Sequence, residues 1–510
     1  MNASQEPVFA FLSDPATHGG AAVKRIDTHA ASVFLAGPRA FKVKKAVRFP
    51  FLDYSTLAKR KEACEAELTI NQQLAAQIYR RVVAITRRAD GGLQFDGAGT
   101  PVEWAVEMRR FDENATLDHL AENGRIDASL ADALGRAVAA AQASAEPLEP
   151  APWIKALSDY IEEHAGAFAA MPDVFPREEA AALARISRAA YARVEPLLIE
   201  RGARGFICRI HGDLHLGNVV LLEGRPVLFD AVEFSPLIAS GDLLYDLAFL
   251  LMDLTERGLR PTANIALNRY LSERRCLEDL DALAALPLFM SVRAAIRAKV
   301  TAARVVQADG TEKSELKTSA RKYFDAAGSF IAPGKPALIA VGGLSGTGKS
   351  LLGRALAPDL APAPGAVVLR SDIERKALFG KDEAEQLPGH AYTPEVTRRV
   401  FATLADKARR ALAAGHSTVV DAVFSQPDER KLMQQSAAAL GAPFHGLFLT
   451  ADLATRIARV GSRSHDASDA DAAVAHRQES YDLGMIDWAR IDASGTPEET
   501  LARARAALRG

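Results

Sequence analysis

GGLSGTGKS, residues 342–350, is the stretch that decides the fold of the last third of this chain. Gly343, Gly348, Lys349 and Ser350 fit the spacing G-x-x-x-x-G-K-[ST], and the apolar run ALIAVGG precedes the turn while LLGRALA follows it. This order predicts a buried strand, a tight glycine turn and a helix. Backbone N–H groups of such a turn converge at the helix N-terminus, where the helix dipole favours an anion.

The turn therefore predicts a phosphate-binding loop for ATP. Lys349 is expected to reach the β- and γ-phosphates, and the Ser350 hydroxyl is expected to ligate Mg²⁺. Asp421 ends the apolar run STVVD and is a second candidate ligand of Mg²⁺, through water. The residues predicted to bind the nucleotide here are Gly343, Leu344, Ser345, Gly346, Thr347, Gly348, Lys349 and Ser350.

Around this loop, apolar strands alternate with helical segments as far as the C-terminus. The strand candidates are ALIAVGG, AVVLRSD, STVVDAVF, HGLFLT and WARIDAS. Strands separated by helices predict a parallel sheet that is covered on both faces. We expect residues 337–510 to form an α/β P-loop NTPase domain.

A second motif, HGDLHLGN, occupies residues 211–218. Asp213 and Asn218 reproduce the H-x-D-x-x-x-x-N spacing of a kinase catalytic loop, and the strand PVLFD ends downstream at Asp230. In such a loop the aspartate accepts the proton of the substrate hydroxyl, while the asparagine and the later aspartate hold Mg²⁺. We predict these roles for Asp213, Asn218 and Asp230. For Glu233, a metal or substrate role and a plain loop position both stay open.

The N-terminal region offers the lysine and the glutamate that a kinase needs beside the phosphates. In AFKVKK, residues 40–45, Lys42 and Lys44 lie on one face of a predicted strand, and Glu67 lies on the helix that follows. The order apolar-x-apolar-Lys favours Lys44 as the phosphate-binding residue and leaves Lys42 as the alternative. No glycine-rich loop precedes this strand, so Ser32 in DTHAASVFL is expected to cover the phosphates together with backbone groups.

Two further segments of the C-terminal domain carry candidate catalytic residues. In LRSDIERKAL, Asp372 and Arg375 lie three residues apart on one face of a starting helix, where Asp372 would accept a hydroxyl proton and Arg375 would hold the acceptor or a phosphate. Arg456, Arg459 and Arg463 precede an Asp- and Ser-rich stretch. These segments resemble those of the small P-loop kinases of the gluconate kinase and polynucleotide 5′-kinase type. The resemblance implies an Asp-x-x-Arg pair that orients the accepting hydroxyl, and a lid whose arginines, here preferably Arg456 and Arg463, close on the transferred phosphoryl group.

The N-terminal motifs together resemble the aminoglycoside phosphotransferase family, which shares the protein-kinase-like fold. HGDLHLGN, the strand that ends at Asp230, and the segments RFPFLDYSTLAKRKEACEAELTINQQLA and FDAVEFSPLIASGDLLYDLAFLLMDL carry this resemblance. More closely, the chain is similar to bacterial fusion proteins that join such a domain to a P-loop kinase-like ATPase of the AAA type. The resemblance implies a two-lobed α+β kinase-like domain, ATP with Mg²⁺, and a small-molecule hydroxyl as the acceptor.

The motifs predict a multidomain organisation along the chain. Residues 1–112 are expected to form the N-lobe of the kinase-like domain, and residues 113–328 its helical C-lobe with the catalytic loop. Residues 329–336, SFIAPGKP, are expected to form a linker to the P-loop domain of residues 337–510. A chain of 510 residues is too long for one hydrophobic core, which agrees with this division.

Composition is that of an ordinary soluble globular protein. Hydrophobic residues make up 48% and charged residues 25%, and the formal net charge of −2 disfavours a dedicated nucleic-acid binder. The most apolar run, LLYDLAFLLMDL, is interrupted by Asp246 and Asp253, which favours a buried helix over a membrane span. The N-terminus lacks the pattern of a signal peptide, so we expect a cytoplasmic protein without membrane partners.

These observations lead to one main hypothesis and two alternatives. The main hypothesis is an ATP- and Mg²⁺-dependent phosphotransferase with two nucleotide sites, which moves the γ-phosphoryl group to a hydroxyl of an unidentified small molecule. The first alternative is a regulatory ATP-binding protein with one silent domain, which the missing glycine-rich loop favours. The second is a polynucleotide 5′-kinase in the C-terminal domain, which the near-neutral charge disfavours.

Overall fold

The chain packs as two compact units. One contains Met1–Asp159 and Glu195–Asp253, and the other contains Tyr160–Val194 and Leu254–Gly510. The computed structural model describes residues 4–49, 52–306, 308–461 and 467–509.

The helices and strands follow the chain in two groups. As far as residue 256 they are α1 (Glu6–Ser13), β1 (Val23–Asp27), β2 (Ala31–Ala36), β3 (Arg39–Lys44), β4 (Arg48–Phe49), β5 (Leu52–Asp53), α2 (Leu57–Ala75), β6 (Tyr79–Arg87), β7 (Leu93–Phe95), β8 (Pro101–Arg109), α3 (Leu117–Glu122), α4 (Ala128–Gln142), α5 (Pro150–Ala169), α6 (Arg177–Ala203), β9 (Ile207–Arg209), β10 (Val219–Leu222), β11 (Arg225–Leu228), β12 (Ser240–Asp242) and α7 (Leu243–Glu256). From residue 260 onward they are α8 (Arg260–Arg274), α9 (Leu277–Ala282), α10 (Leu286–Val305), α11 (Gly310–Ile331), β13 (Leu338–Gly343), α12 (Lys349–Leu356), β14 (Val367–Arg370), α13 (Ser371–Leu378), α14 (Pro394–Ala413), β15 (Thr418–Asp421), α15 (Pro427–Ala438), β16 (Phe444–Thr450), α16 (Leu453–Gly461), α17 (Ala472–Gln478), β17 (Ala489–Asp492) and α18 (Pro497–Ala507).

The first unit contains a six-stranded antiparallel sheet in the order β1-β2-β3-β8-β6-β7. Strands β2 and β3 form a hairpin, and Gly37 in its turn has a φ of +55°, which glycine adopts without steric cost. Thr56 caps α2, because its side chain accepts a hydrogen bond from the Lys59 N–H at 3.3 Å. The helix packs against β6 and β8, and this packing buries Glu67 completely beside the sheet.

A region of short strands after α6 carries the motif of residues 211–218. Strand β9 pairs with β12, and β10 pairs with β11 in a hairpin that sets Val219 opposite Leu228. The motif runs between β9 and β10. At the open end of the hairpin, the Phe229 N–H donates to the Asn218 carbonyl at 3.0 Å. The hairpin therefore makes the last residue of the motif a neighbour of the strand end that leads to Asp230.

The apolar run LLYDLAFLLMDL forms helix α7, as its composition predicted. Leu247, Leu250 and Leu251 are fully buried in it. Within the described part of the chain, no helix combines the length and the apolarity that crossing a membrane requires.

The second unit contains a five-stranded parallel sheet in the order β14-β15-β13-β16-β17. Strand β13, which leads into the glycine turn, is central and buried along its whole length. Its core packs helices α12 and α18 against the sheet through Ile339, Val341, Leu352, Leu356, Val419, Leu447, Leu449, Ile491 and Ala504. The α/β class that strand–helix alternation predicted is confirmed, because each parallel strand needs a crossover helix to reach its neighbour.

Helix α8 covers the outer edge of β14 within the same unit. The Val368 N–H donates to Asn268 at 2.7 Å, and the Asn268 amide donates to the Ala366 carbonyl at 3.1 Å. One side chain thus satisfies backbone groups that an edge strand would otherwise leave unpaired. Nearby, Arg269 forms a two-pronged ion pair with Glu383, with N–O distances of 2.6 and 3.0 Å. Helix α8 is therefore part of the packing around the P-loop sheet.

The segment predicted as a linker, residues 329–336, begins as helix. Helix α11 continues to Ile331 because Phe330 and Ile331 bury their side chains, with exposures of 5% and 4%. Non-helical chain starts at Ala332, and β13 begins at Leu338. The two compact units divide at other positions than this segment.

Candidate functional sites

Lys42 connects the N-terminal sheet, helix α2 and the strand end at Asp230. Its Nζ lies 2.8 Å from Oε1 of Glu67 and 2.5 Å from Oδ1 of Asp230, and its side chain is 14% exposed. Burial opposes the charge of this lysine, but the carboxylates of Asp230 and Glu67 outweigh burial and hold the pKa of Lys42 well above its ordinary value. Lys42 therefore stays an ammonium group shared by two carboxylates.

Lys44 lies deeper on the same face of the strand. Its Nζ lies 2.6 Å from Oε2 of Glu67 and pairs with Glu233, and its side chain is 3% exposed. The Tyr54 hydroxyl donates to Glu233 at 2.7 Å, and the side chain of Glu233, the partner of Lys44, is only 6% exposed. Burial raises the pKa of Glu67, but Lys42 and Lys44 outweigh it and lower that pKa below its ordinary value.

Two aspartates of α7 hold the backbone of residues 211–218. The N–H groups of His211 and Gly212 each donate to the Asp246 carboxylate at 3.0 Å, and the Leu216 N–H donates to Asp253 at 3.0 Å. Both carboxylates are buried. The sequence indicated only that these aspartates interrupt an apolar run. A buried carboxylate needs several hydrogen-bond donors. Two aspartates within an apolar helix could therefore have been predicted to accept hydrogen bonds from a neighbouring loop.

Asp213 and Asn218 are hydrogen-bonded to each other. The Asn218 Nδ2 donates to the Asp213 carbonyl at 2.9 Å and to its carboxylate Oδ2 at 3.1 Å. The Asp213 side chain is 45% exposed, so a substrate can reach it. Asp230 has a φ of +62°, which is uncommon for a residue other than glycine, and its N–H donates to the Tyr79 hydroxyl at 3.2 Å. This local conformation directs the Asp230 carboxylate to Lys42.

These side chains suit a magnesium ion by their chemistry. Asn218 commits its amide nitrogen to Asp213, which leaves its side-chain oxygen for a ligand. The Asp230 carboxylate is 40% exposed. Oxygen atoms of this kind are the ligands that Mg²⁺ prefers. We call Lys42, Glu67, Asp213, Asn218 and Asp230 the kinase-like site.

Ser32 lies on the opposite side of the sheet from the two lysines, which corrects the prediction that it covers phosphates. Strands β2 and β3 set Ser32 opposite Val43 and Val33 opposite Lys42, so strand alternation turns Ser32 away from Lys42. Its hydroxyl is fully buried and donates to Asp27 at 2.6 Å. A buried hydroxyl that already has an acceptor is not available to a nucleotide.

The glycine turn after β13 has the backbone form of an anion-binding loop. The left-handed φ values are +137° at Gly343, +87° at Gly346 and +92° at Gly348. A Cβ at Gly346 would lie 2.5 Å from the Arg456 carbonyl oxygen, so this position admits no side chain. Helix α12 starts at Lys349, whose Nζ donates to the Leu344 carbonyl at 3.1 Å. The turn thus sets backbone N–H groups at a helix N-terminus.

Ser350 and Asp421 are in contact at the carboxyl end of the sheet. The Ser350 hydroxyl donates to Oδ2 of Asp421 at 2.5 Å. Arg370 reaches the same place, with Nε 3.3 Å from Asp421 Oδ2 and Nη2 3.1 Å from Ser350 Oγ. Sequence reasoning missed Arg370, although it ends β14 directly beside Asp421 in β15. The oxygens of Ser350 and Asp421 fit Mg²⁺. We call residues 343–350 with Asp421 the P-loop site.

Asp372 and Arg375 follow β14 on helix α13. Burial and the charge of Asp421 raise the pKa of Asp372, while Arg370 lowers it. Arg375 is 8% exposed, and its Nη1 donates to the Ala391 carbonyl at 2.7 Å. Asp372 therefore belongs to the electrostatic surroundings of the P-loop site, while Arg375 also braces the segment after α13.

Arg456 supports the phosphate-binding loop from behind, which corrects its prediction as a lid arginine. Its side chain is 2% exposed, Nε donates to the Ser345 carbonyl at 2.9 Å, and Nη2 donates to the Ala475 carbonyl at 3.2 Å. It also pairs with Glu479. A guanidinium enclosed in this way is unavailable to a transferred phosphoryl group. Arg463, the other preferred lid arginine, lies outside the described residues.

The two sites and their folds define a kinase-like phosphotransferase region followed by a P-loop region. Residues 36–286 match the phosphotransferase enzyme family, and residues 338–481 match the AAA domain family. The predicted order of an aminoglycoside phosphotransferase-like domain and a P-loop kinase-like domain is confirmed. These matches support phosphotransferase activity in general.

Related sequences match almost the entire length of the chain. The chain is 29% identical over 501 residues to the uncharacterized protein Rv2004c of Mycobacterium tuberculosis, covering 94% of each chain. The same values hold for the uncharacterized protein Mb2027c of Mycobacterium bovis.

Solved structures resemble each part. A gluconokinase from Sinorhizobium meliloti is 21% identical, covers 34% of this chain and 92% of its own, and has a TM-score of 0.26. A choline/ethanolamine kinase family protein from Mesorhizobium loti is 14% identical, covers 64% of this chain and 98% of its own, and has a TM-score of 0.36.

Proposed function

We propose that the protein is an ATP-dependent phosphotransferase with two nucleotide sites, which transfers the γ-phosphoryl group of ATP to a hydroxyl of a small molecule. The observation that carries the proposal is the position of Lys42 between the buried Glu67 and the accessible Asp230. A lysine fixed by one carboxylate beside a metal-binding carboxylate is the arrangement with which kinases hold ATP phosphates. The P-loop site supports a second nucleotide.

In the kinase-like site each residue has one role. Lys42 binds the phosphates, and Glu67 fixes its position. Asp213 accepts the proton of the acceptor hydroxyl, for which its exposure makes it suitable. Asn218 and Asp230 hold Mg²⁺, which when bound neutralises phosphate charge.

In the P-loop site the backbone N–H groups of Gly346 and Gly348 donate to the phosphates, and Lys349 contacts the terminal ones. Ser350 and Asp421 hold Mg²⁺. Asp372 accepts the acceptor proton, and its raised pKa brings it closer to the range in which a base works efficiently. Arg375 positions the acceptor.

The two lysines of β3 are expected to give different results when each is replaced by Met. Lys42→Met lowers kcat/KM for ATP about 100-fold with little change in melting temperature, because it removes a phosphate contact. Lys44→Met removes the positive charge that pairs with the buried carboxylates of Glu67 and Glu233. We expect it to lower the free energy of unfolding by about 3–5 kcal/mol. Steady-state kinetics and urea unfolding of both variants measure this. Each variant is the matched control of the other. A larger kinetic defect in Lys44→Met, with stability intact, would support Lys44 as the phosphate-binding residue, as the order apolar-x-apolar-Lys predicted.

A regulatory ATP sensor is a second candidate for the kinase-like site. The observation in its favour is that Ser32 is turned away from the lysines, which leaves the nucleotide without the side-chain cover predicted from the sequence. A sensor binds ATP without sustained turnover.

A metabolite screen with γ-labelled ATP tests the proposed function. The full-length chain, Asp213→Asn and Lys349→Ala are screened in parallel against hydroxyl-bearing metabolites. We expect at least one labelled product that one of the two variants fails to form, which assigns the product to a site. ATP binding without any labelled product from the full library would contradict the phosphotransferase and support the sensor.

A further inference from the structure

The end of β14 brings a buried arginine to the P-loop site. Arg370 is 7% exposed and is paired in register with Asp421, so both side chains leave the sheet at the same edge. Its guanidinium lies within hydrogen-bond distance of Asp421 and of the Ser350 hydroxyl. Ser350 directly follows Lys349, the residue assigned to the terminal phosphates. The positive charge of Arg370 therefore lies beside the place where these phosphates would end.

Arg456, one of the two arginines predicted to close on the transferred phosphoryl group, is engaged elsewhere. Arg456 donates to the Ser345 and Ala475 carbonyls behind the loop. By contrast, Arg370 contacts two residues of the P-loop site itself.

We propose that Arg370 is a catalytic residue of the P-loop site that contacts the phosphoryl group during its transfer; this rests on the proposed function of that site. In the step, the acceptor oxygen forms a bond to the γ-phosphorus, and the bond from this phosphorus to the β,γ-bridging oxygen breaks. The acceptor proton passes to Asp372, and ADP leaves. Arg370 donates hydrogen bonds to the oxygens of the group in transit, where negative charge is spread in the transition state.

A rival role for Arg370 is that of a counter-ion. In that case its guanidinium only neutralises Asp421 until Mg²⁺ binds, and it has no contact with the phosphoryl group. The two roles differ in what the arginine stabilises. A catalytic arginine stabilises the transition state more than the bound nucleotide, whereas a counter-ion competes with the metal.

The experiment measures binding of two probes to the full-length chain by calorimetry. MgADP reports the nucleotide alone, and MgADP with aluminium fluoride mimics the phosphoryl group in transit. The binding that disappears in Lys349→Ala is assigned to the P-loop site. The variants are Arg370→Ala, Arg370→Lys and, as a matched control, Arg399→Ala, which removes an exposed arginine of α14.

Arg370→Ala is expected to bind MgADP within about threefold of the wild type and to lose about 100-fold in affinity for the aluminium fluoride complex. Arg370→Lys keeps the positive charge but not the planar guanidinium, so we expect a smaller loss of affinity for the aluminium fluoride complex. Arg399→Ala is expected to bind both probes as the wild type does. If Arg370→Ala does not fold, a selective loss of the aluminium fluoride complex in Arg370→Lys supports the proposal.

Three outcomes would overturn the proposal. If wild type and Arg370→Ala bind each probe with equal affinity, Arg370 does not contact the phosphoryl group. An equal loss for both probes would assign Arg370 a structural role. Tighter Mg²⁺ binding in Arg370→Ala, with unchanged affinity for the aluminium fluoride complex, would identify a counter-ion. In all three the nucleotide site itself stands, whereas a wild-type P-loop site that binds neither probe would refute the proposed function as well.

Discussion

Asp213→Asn is expected to lower kcat of the kinase-like site about 1,000-fold while changing its affinity for ATP less than about threefold. The substitution replaces the carboxylate, which accepts the proton, by a neutral amide of the same size. The amide keeps one oxygen that can accept the hydrogen bond from Asn218. Asp213 contacts the acceptor and not the nucleotide in the proposed mechanism, so binding and turnover should separate. Initial rates with the acceptor found in the metabolite screen, together with calorimetry of ATP binding, measure both quantities.

The matched control is Asp90→Asn, which makes the same chemical change at a side chain that is 64% exposed. It should leave kcat and the melting temperature at their wild-type values. Wild-type turnover in Asp213→Asn would show that another group accepts the proton, and the assignment of residues 211–218 as a catalytic loop would fail.

Lys349→Ala is expected to weaken ATP binding at the P-loop site about 100-fold, because it removes a charge-assisted hydrogen bond to the terminal phosphates. In the full-length chain this appears as a change in stoichiometry. Calorimetry with ATP and Mg²⁺ should detect two binding events in the wild type and one in the variant. Helix α12 begins at this residue, and Ala favours the helix, so the fold is preserved.

Lys431→Ala is the control for this second prediction, because Lys431 is an exposed lysine on α15 of the same unit. It should keep both binding events. Two undiminished binding events in Lys349→Ala would remove the P-loop site from the proposal and leave the kinase-like site as the nucleotide-binding part of the chain.

The spacing of residues within single loops was enough to predict the local backbone in which the candidate site residues lie. GGLSGTGKS predicted a strand, a glycine turn and a helix, and the structure has β13, a turn with left-handed glycines and α12 in that order. HGDLHLGN predicted a loop in which Asp213 and Asn218 act together, and the two side chains are hydrogen-bonded. The groups in each motif are within a few residues of each other, so local backbone geometry determines their distance.

The spacing of residues in the sequence did not predict which partners the side chains of β2 and β3 contact. Lys42 and Lys44 lie on the same face of their strand, so strand alternation does not predict which of them binds the phosphates. Their difference lies in Asp230, which is 188 residues from Lys42, and in Glu233, which is 189 residues from Lys44. Ser32 was placed beside the nucleotide because of its position in the chain, but the pairing of β2 with β3 turns it to the other side.

The two fold classes, the loop that carries Asp213 and the glycine turn that carries Lys349 could be predicted from the amino-acid sequence, because each depends on short-range spacing and hydrophobic periodicity. Which charged side chains contact each other became clear from the folded chain. It set Arg370 beside Ser350 and Asp421, and it enclosed Arg456 behind the phosphate loop. The physical reason is that a buried charge is stable only among the partners that folding brings to it, and those partners come from distant parts of the chain.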